Sequence, residues 1–161
     1  PASNAKLASG IAPLQKYMDA GLNLAIGTDG PSSNNALDMF REMYLACVLQ
    51  KLQTMDAAAC DAEKILTAAT VGGARAMGLS DCDCIAEGKQ ADLIVIDLQR
   101  PSMRPIINIP KNLVYSGSKD CVKMTMIAGK VLYENGEFFI GEDPAKIYET
   151  VEAEVKKMLA E

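Results

Sequence analysis

Among its 161 residues the chain has no histidine. Histidine is the usual general base, proton shuttle and zinc ligand, so a hydrolytic site built from this chain alone would have to use carboxylates or cysteines. A dense Lys/Arg cluster is also missing, and the formal charge is -5. Together these argue against a nucleic-acid partner held through its phosphates. No apolar run approaches the length of a membrane span and no signal peptide opens the chain, so a membrane partner is not expected and a cytoplasmic location is. The five cysteines, Cys47, Cys60, Cys82, Cys84 and Cys121, form an odd, irregular set. That suits reduced thiols better than a disulfide framework. Low-complexity tracts, internal repeats and an initiator Met are absent, and Pro1-Ala2-Ser3-Asn4 begins within an apparent loop. What is present is apolar residue, 49% of the chain, enough for a sizeable core.

The first half alternates helix, strand and helix. Residues 10–20 put Leu14, Tyr17 and Met18 on one face, with Gly21 closing the helix. Leu22 to Ile26 is a short apolar stretch running into Gly27-Thr28-Asp29-Gly30, the pattern of a buried strand and its C-terminal loop. Asn35 with Asp38 three residues on resembles a capping box, opening a helix with Leu37, Phe40, Tyr44, Cys47 and Val48 inward. Asp61 is expected to cap another helix that ends at Gly78, and Gly72 and Gly73 inside it imply close packing. The second half changes period. Residues 91–97 read as a strand, followed by a loop through Pro101, Pro105 and Pro110. Ala128-Gly129 and Asn135-Gly136 then mark two hairpin turns. Asp143-Pro144 starts a last helix with Ile147, Val151, Val155 and Met158 inward.

Asp29 is the residue best placed to carry chemistry. It stands between Gly-Thr and Gly at the carboxyl end of the expected strand, where α/β folds build their sites. A carboxylate there can ligate a divalent metal and accept a proton. The residues by themselves equally allow Asp29 to be a turn residue, because Gly-Thr-Asp-Gly is a good turn sequence. Cys82-x-Cys84 has one intervening residue and no matching pair, which departs from zinc spacing and reads as incidental thiols in a polar loop. Glu42, Glu63 and Glu87 read as exposed charges, and Met39, Met43, Met55, Met124 and Met126 as core or gap-filling residues.

The segments Pro1 to Gly10, Gly27-Thr28-Asp29-Gly30 and Ser33-Asn34-Asn35 together resemble the amidohydrolase superfamily. The likeness is strongest to its branch of methylthioadenosine/S-adenosylhomocysteine deaminases and related chlorohydrolases. It continues through Gly73-Ala74, Ala76-Met77-Gly78-Leu79, Glu87-Gly88-Lys89, Ala91-Asp92-Leu93, Asn112-Leu113-Val114-Tyr115 and Gly129-Lys130-Val131. Each string is weak alone, and their order and spacing are specific. The resemblance implies an α/β fold: the last βα segment of a (β/α)8 metal-dependent hydrolase barrel over residues 1–80, the C-terminal part of a small β-sandwich over 81–140, and a closing helix over 141–161. It implies that Asp29 holds a divalent metal, zinc or else iron, and takes a proton from metal-activated water attacking an adenosine-type substrate.

The family's His-x-His pair, its further histidines and its catalytic glutamate have no counterpart here. The histidine of its Pro-x-Ser-Asn segment would stand two residues before Pro1. The expectation is therefore the C-terminal piece of an enzyme, inactive alone, with a small purine nucleoside-like substrate in the intact parent. Association with the missing N-terminal part or with further copies would complete the fold. A related chlorohydrolase or guanine deaminase on the same scaffold, and a non-catalytic binding or assembly module, are the alternatives.

Overall fold

A computed structural model describes residues 1–160. Its order is α1 (Ala2–Lys6), α2 (Leu14–Asp19), α3 (Pro31–Asn34), α4 (Met39–Thr54), α5 (Ala62–Ala69), α6 (Val71–Ala76), β1 (Leu93–Ile96), α7 (Ile109–Ser116), β2 (Val122–Ile127), β3 (Lys130–Glu134), β4 (Glu137–Phe138) and α8 (Pro144–Ala160). The mixture of helix and strand agrees with the expected α/β class.

The core lies where α4, α5 and α7 meet. Phe40, Met43, Ala46 and Cys47 of α4 pack with Cys60, Ala62, Ile65 and Val114. Ile65 is fully buried, and burying such a side chain contributes about 1.5–3 kcal/mol. Asp61 caps α5 as expected, accepting from the Glu63 N–H. The next helix is capped differently from expectation. Asp38, not Asn35, accepts from Phe40 N and Arg41 N at the start of α4. Asn35 instead closes α3 in a left-handed conformation, φ +69°. Tyr44 and Leu37 are exposed and Met55 is 86% exposed. Apolar residues are spread around the circumference of α4, so the sequence offers no single stripe to select.

Residues 22–26 make no sheet ladder. A strand needs neighbours for its amide and carbonyl groups, and none of the described segments lies alongside with β pairing. The segment is held instead by Ile26 N to Ala68 O, 3.2 Å, and by the Asn23 amide to Gly72 O, 3.0 Å. Gly72 is where this packing is closest. A Cβ there would strike the Leu24 carbonyl oxygen and lie 3.3 Å from Thr67 O. Gly73 is not under the same constraint, since its nearest atom would be 3.9 Å away.

The four strands form one antiparallel sheet in the order β1-β2-β3-β4. Both turns use paired positive φ as the sequence demanded: Ala128 +51° with Gly129 +77°, and Asn135 +49° with Gly136 +98°. Asp92 ties β1 to the first turn, accepting from Ala128 N at 2.6 Å. The proline-rich stretch is not all loop. Asn108 caps α7 by accepting from Lys111 N, and Pro110 sits in the first turn, where a missing N–H costs nothing.

Helix α8 forms as expected but has no buried residue. Val151 is 55% and Met158 75% exposed, so the face expected to point inward is uncovered. The chain exposes 10595 Å², against roughly 7800 Å² for a compact monomer of this mass. No helix among the described residues is long and apolar enough to cross a membrane.

Candidate functional site

Two segments far apart in sequence meet around Asp29. Asp29 is an exposed residue with φ +62°, in the left-handed region. Aspartate tolerates that region better than most residues, and such outliers are held in place by their surroundings. Ser33 Oγ donates to Asp29 Oδ2 at 2.8 Å, and Ser3 Oγ, from α1, lies 3.1 Å from Ser33 Oγ as donor. The Ser33 hydroxyl, then the Gly30 N–H and the Ser3 hydroxyl, hold the Asp29 carboxyl below the usual carboxylate range. The carboxylate is thus ionised, solvent-facing and fixed by residues from outside its own turn.

The loop carrying Asp29 is anchored from beneath. Asn34 is 1% exposed. Its amide donates to the Thr28 carbonyl and, at 2.7 Å, to Glu42 Oε1. Glu42 is fully buried, contrary to the exposed charge expected from its sequence context. Its Oε2 accepts from Ala2 N at 2.8 Å. Burial works to raise the Glu42 pKa, and the hydrogen bonds from the Ala2 N–H and the Asn34 amide work to lower it. Lys6 Nζ adds a bond to Ser33 O at 3.1 Å and another to Asn35 Oδ1. The segments 1–6 and 27–35, adjacent only through the fold, therefore form one hydrogen-bonded unit. A signal for Glu42 was present: Glu42, Ala46 and Gln50 recur every four residues and all are buried. A carboxylate on a buried helix face must have partners.

Cys82 and Cys84 lie in a separate cleft of about 580 Å³ with Asp83, Ile85 and Asp92. Burial first, and then the neighbouring Asp92, push the Cys82 thiol up, which disfavours the thiolate form a metal needs. Asp83 pairs with Lys89 at 2.8 Å. Glu63 and Glu87 are exposed. Among the described residues, no group of three or more His, Cys, Asp or Glu side chains is arranged to hold a metal.

The model of the amidohydrolase family matches residues 1–132. The chain belongs to the amidohydrolase family. Among amidohydrolase relatives, it is 49% identical over 139 residues to the 5-methylthioadenosine/S-adenosylhomocysteine deaminase of Thermococcus onnurineus, covering 86% of this chain and 32% of that one. It is 40% identical over 160 residues to the 5'-deoxyadenosine deaminase of Methanosarcina acetivorans, covering 99% of this chain and 37% of the relative. A solved structure of an adenosine deaminase from Xanthomonas campestris with bound zinc superposes with a TM-score of 0.95 at 41% identity, over 100% of this chain and 37% of that one. The atrazine chlorohydrolase of Arthrobacter aurescens in complex with zinc has a TM-score of 0.86 at 25% identity, covering 94% and 34%. The chain thus spans about a third of the length of the relatives it matches.

Proposed function

We propose that these residues are part of a metal-dependent aminohydrolase that deaminates an adenosine-type nucleoside, with Asp29 as one of its metal-binding carboxylates. The single observation supporting this most is the ionised Asp29, exposed at a left-handed position and fixed by the hydroxyls of Ser33 and Ser3. A metal ligand must be deprotonated, and neutral donors that lower a carboxyl pKa keep it so without competing charge. The names of the relatives supply the substrate class: methylthioadenosine, S-adenosylhomocysteine or 5'-deoxyadenosine. Zinc-bound neighbours make zinc the first candidate metal.

The residues present fit one position of such a centre rather than a whole one. The sequence has no histidine, and one carboxylate does not reach the three or four protein ligands usual for zinc. The remaining ligands are assigned to polypeptide outside these residues. A divalent metal there would act as a Lewis acid and lower the pKa of water to about 7. Asp29 has two tasks in this reading, to hold a coordination position and to accept a proton at its carboxylate. Ser33 orients the carboxylate, and Asn34 fixes the Thr28 carbonyl just before it.

The domain reading that accompanies this is a barrel end over 1–80, a sandwich part over 81–140 and a closing helix over 141–161. The five free cysteines fit a cytoplasmic setting. The test uses the full-length polypeptide that carries this chain, purified with zinc and assayed on methylthioadenosine, S-adenosylhomocysteine, 5'-deoxyadenosine, guanine and atrazine. Asp29→Asn should lower deamination by about 10²–10⁴-fold, the range for a lost proton-transfer group, and should lower bound zinc. Full activity and zinc content in that variant would overturn the assignment. Preference for atrazine or guanine would move the substrate reading to the chlorohydrolase or guanine deaminase alternative. No turnover and no metal in the full-length protein would favour a non-catalytic module.

A further inference from the structure

We propose that Glu42 is a positioning residue for Asp29, acting through two hydrogen-bonded arms that reach the Asp29 loop. The inference rests on the reading of Asp29 as a metal-binding carboxylate and adds a residue eight positions beyond the loop's own Asn34. One arm runs from Glu42 Oε1 to the Asn34 amide at 2.7 Å, and from the same amide to the Thr28 carbonyl, the peptide that leads into Asp29. The other runs from Glu42 Oε2 to Ala2 N at 2.8 Å, then along the chain to Ser3. Ser3 Oγ contacts Ser33 Oγ at 3.1 Å, and Ser33 donates to Asp29 Oδ2 at 2.8 Å.

The chemistry of the position argues for a role beyond packing. Glu42 is fully buried. A buried carboxylate is expensive to desolvate, and an apolar side chain of similar volume often stabilises a protein at such a site. What an apolar side chain lacks is the ability to accept two hydrogen bonds at once in fixed directions. Only an ionised carboxylate can take Asn34 through one oxygen and Ala2 through the other with neither competing. Glutamine at this place offers one acceptor and one donor, and the donor would face the Ala2 N–H or the Asn34 amide. The left-handed backbone at Asp29 needs surroundings that over-determine it. The two arms supply that constraint at the residue before Asp29 and at its own carboxylate.

Groups that orient metal ligands from behind typically change metal affinity or activity by about 10–100-fold when removed. In the zinc-loaded full-length polypeptide, Glu42→Gln is therefore expected to lower kcat per folded molecule by that factor, with KM within about twofold. It should also speed zinc loss to a chelator by a similar factor. A role in packing alone would lower thermal stability yet leave kcat per folded molecule and the zinc release rate at wild-type values, and that result overturns the proposal. If Glu42→Gln does not accumulate folded, Asn34→Ala cuts only the Thr28 arm and is judged by the same two readouts. Glu63→Gln, on the exposed side of α5, serves as the unchanged control. Asp29→Asn separates the layers. If it leaves zinc and turnover intact, the metal reading of Asp29 has failed. If it removes them while Glu42→Gln and Asn34→Ala change nothing, only the positioning role has.

Discussion

Replacing Gly72 by alanine should destabilise the protein, although alanine is the better helix former. Gly72 lies in the first turn of α6, and a Cβ added there would collide with the Leu24 carbonyl oxygen while lying 3.2 Å from Leu24 C and 3.3 Å from Thr67 O. All three are backbone atoms, so no side-chain rotation relieves the clash. Residues 22–26 must withdraw, which strains their two anchoring bonds, Ile26 N to Ala68 O and the Asn23 amide to Gly72 O. Overpacking of this kind costs about 1–3 kcal/mol, and each weakened hydrogen bond costs about 0.5–1.5 kcal/mol more. The gain in helix propensity returns up to about 1 kcal/mol. The net is a loss of about 1–5 kcal/mol, or roughly 2–20 °C in Tm for a chain of this size. Gly73→Ala is the internal control, because its Cβ would find only Ala68 O at 3.9 Å. It keeps the propensity gain without the clash and should be neutral or stabilising. Both variants are compared by calorimetry against wild type in the same buffer. If Gly72→Ala stabilises as much as Gly73→Ala, residues 22–26 do not pack against α6 as described.

Burial pushes Cys60 from 9.0 up to about 11 and Tyr115 from 10.0 up to about 12, with Cys47 adding to both. In that interval the unfolded chain gives up protons that the folded chain keeps. The contribution to stability is therefore complete below pH 9, falls as pH rises, and is gone above about 12. Tm should decline steadily from pH 9 to 11, and a level profile would contradict the burial of these two groups. The 161-residue chain on its own should associate with itself, because its exposed surface exceeds that of a compact monomer by roughly 2800 Å² and α8 shows Val151, Val155 and Met158 to solvent. Sedimentation over a dilution series tests this, and a stable compact monomer at low micromolar concentration would refute it.

How much of this was legible in the sequence depends on the range of the interactions involved. The hairpins at Ala128-Gly129 and Asn135-Gly136 follow from two residues each, because positive φ is a local demand. The Asp61 cap and the Asp143-Pro144 helix start are local in the same way. Helix α7 was hidden because Pro101, Pro105 and Pro110 look like loop punctuation, yet Pro110 occupies a first helical turn capped by Asn108. The stretch 22–26 has strand composition but no strand ladder, since a ladder is a property of pairs and the described residues supply no partner. The inward face expected for α8 failed for the same reason: periodicity shows that a helix has an apolar side, not that anything covers it.

Asp29 and Glu42 mark the two ends of that scale. Asp29 was readable as a candidate because the motif around it is contiguous, and the structure gives it a left-handed backbone, φ +62°. Glu42 was read as an ordinary exposed helix charge, because its partners, Ala2 and Asn34, are 40 and 8 residues away. What the sequence did contain was an acid four residues before Ala46 and eight before Gln50, on a helix whose apolar residues run all round. An ionisable group placed inside such a pattern must be paid for by hydrogen bonds, and the donors then have to come from another segment. Here they come from the two segments that frame Asp29. The buried acid and the exposed acid are thus ends of one network, and the costly member explains how the other keeps its backbone geometry.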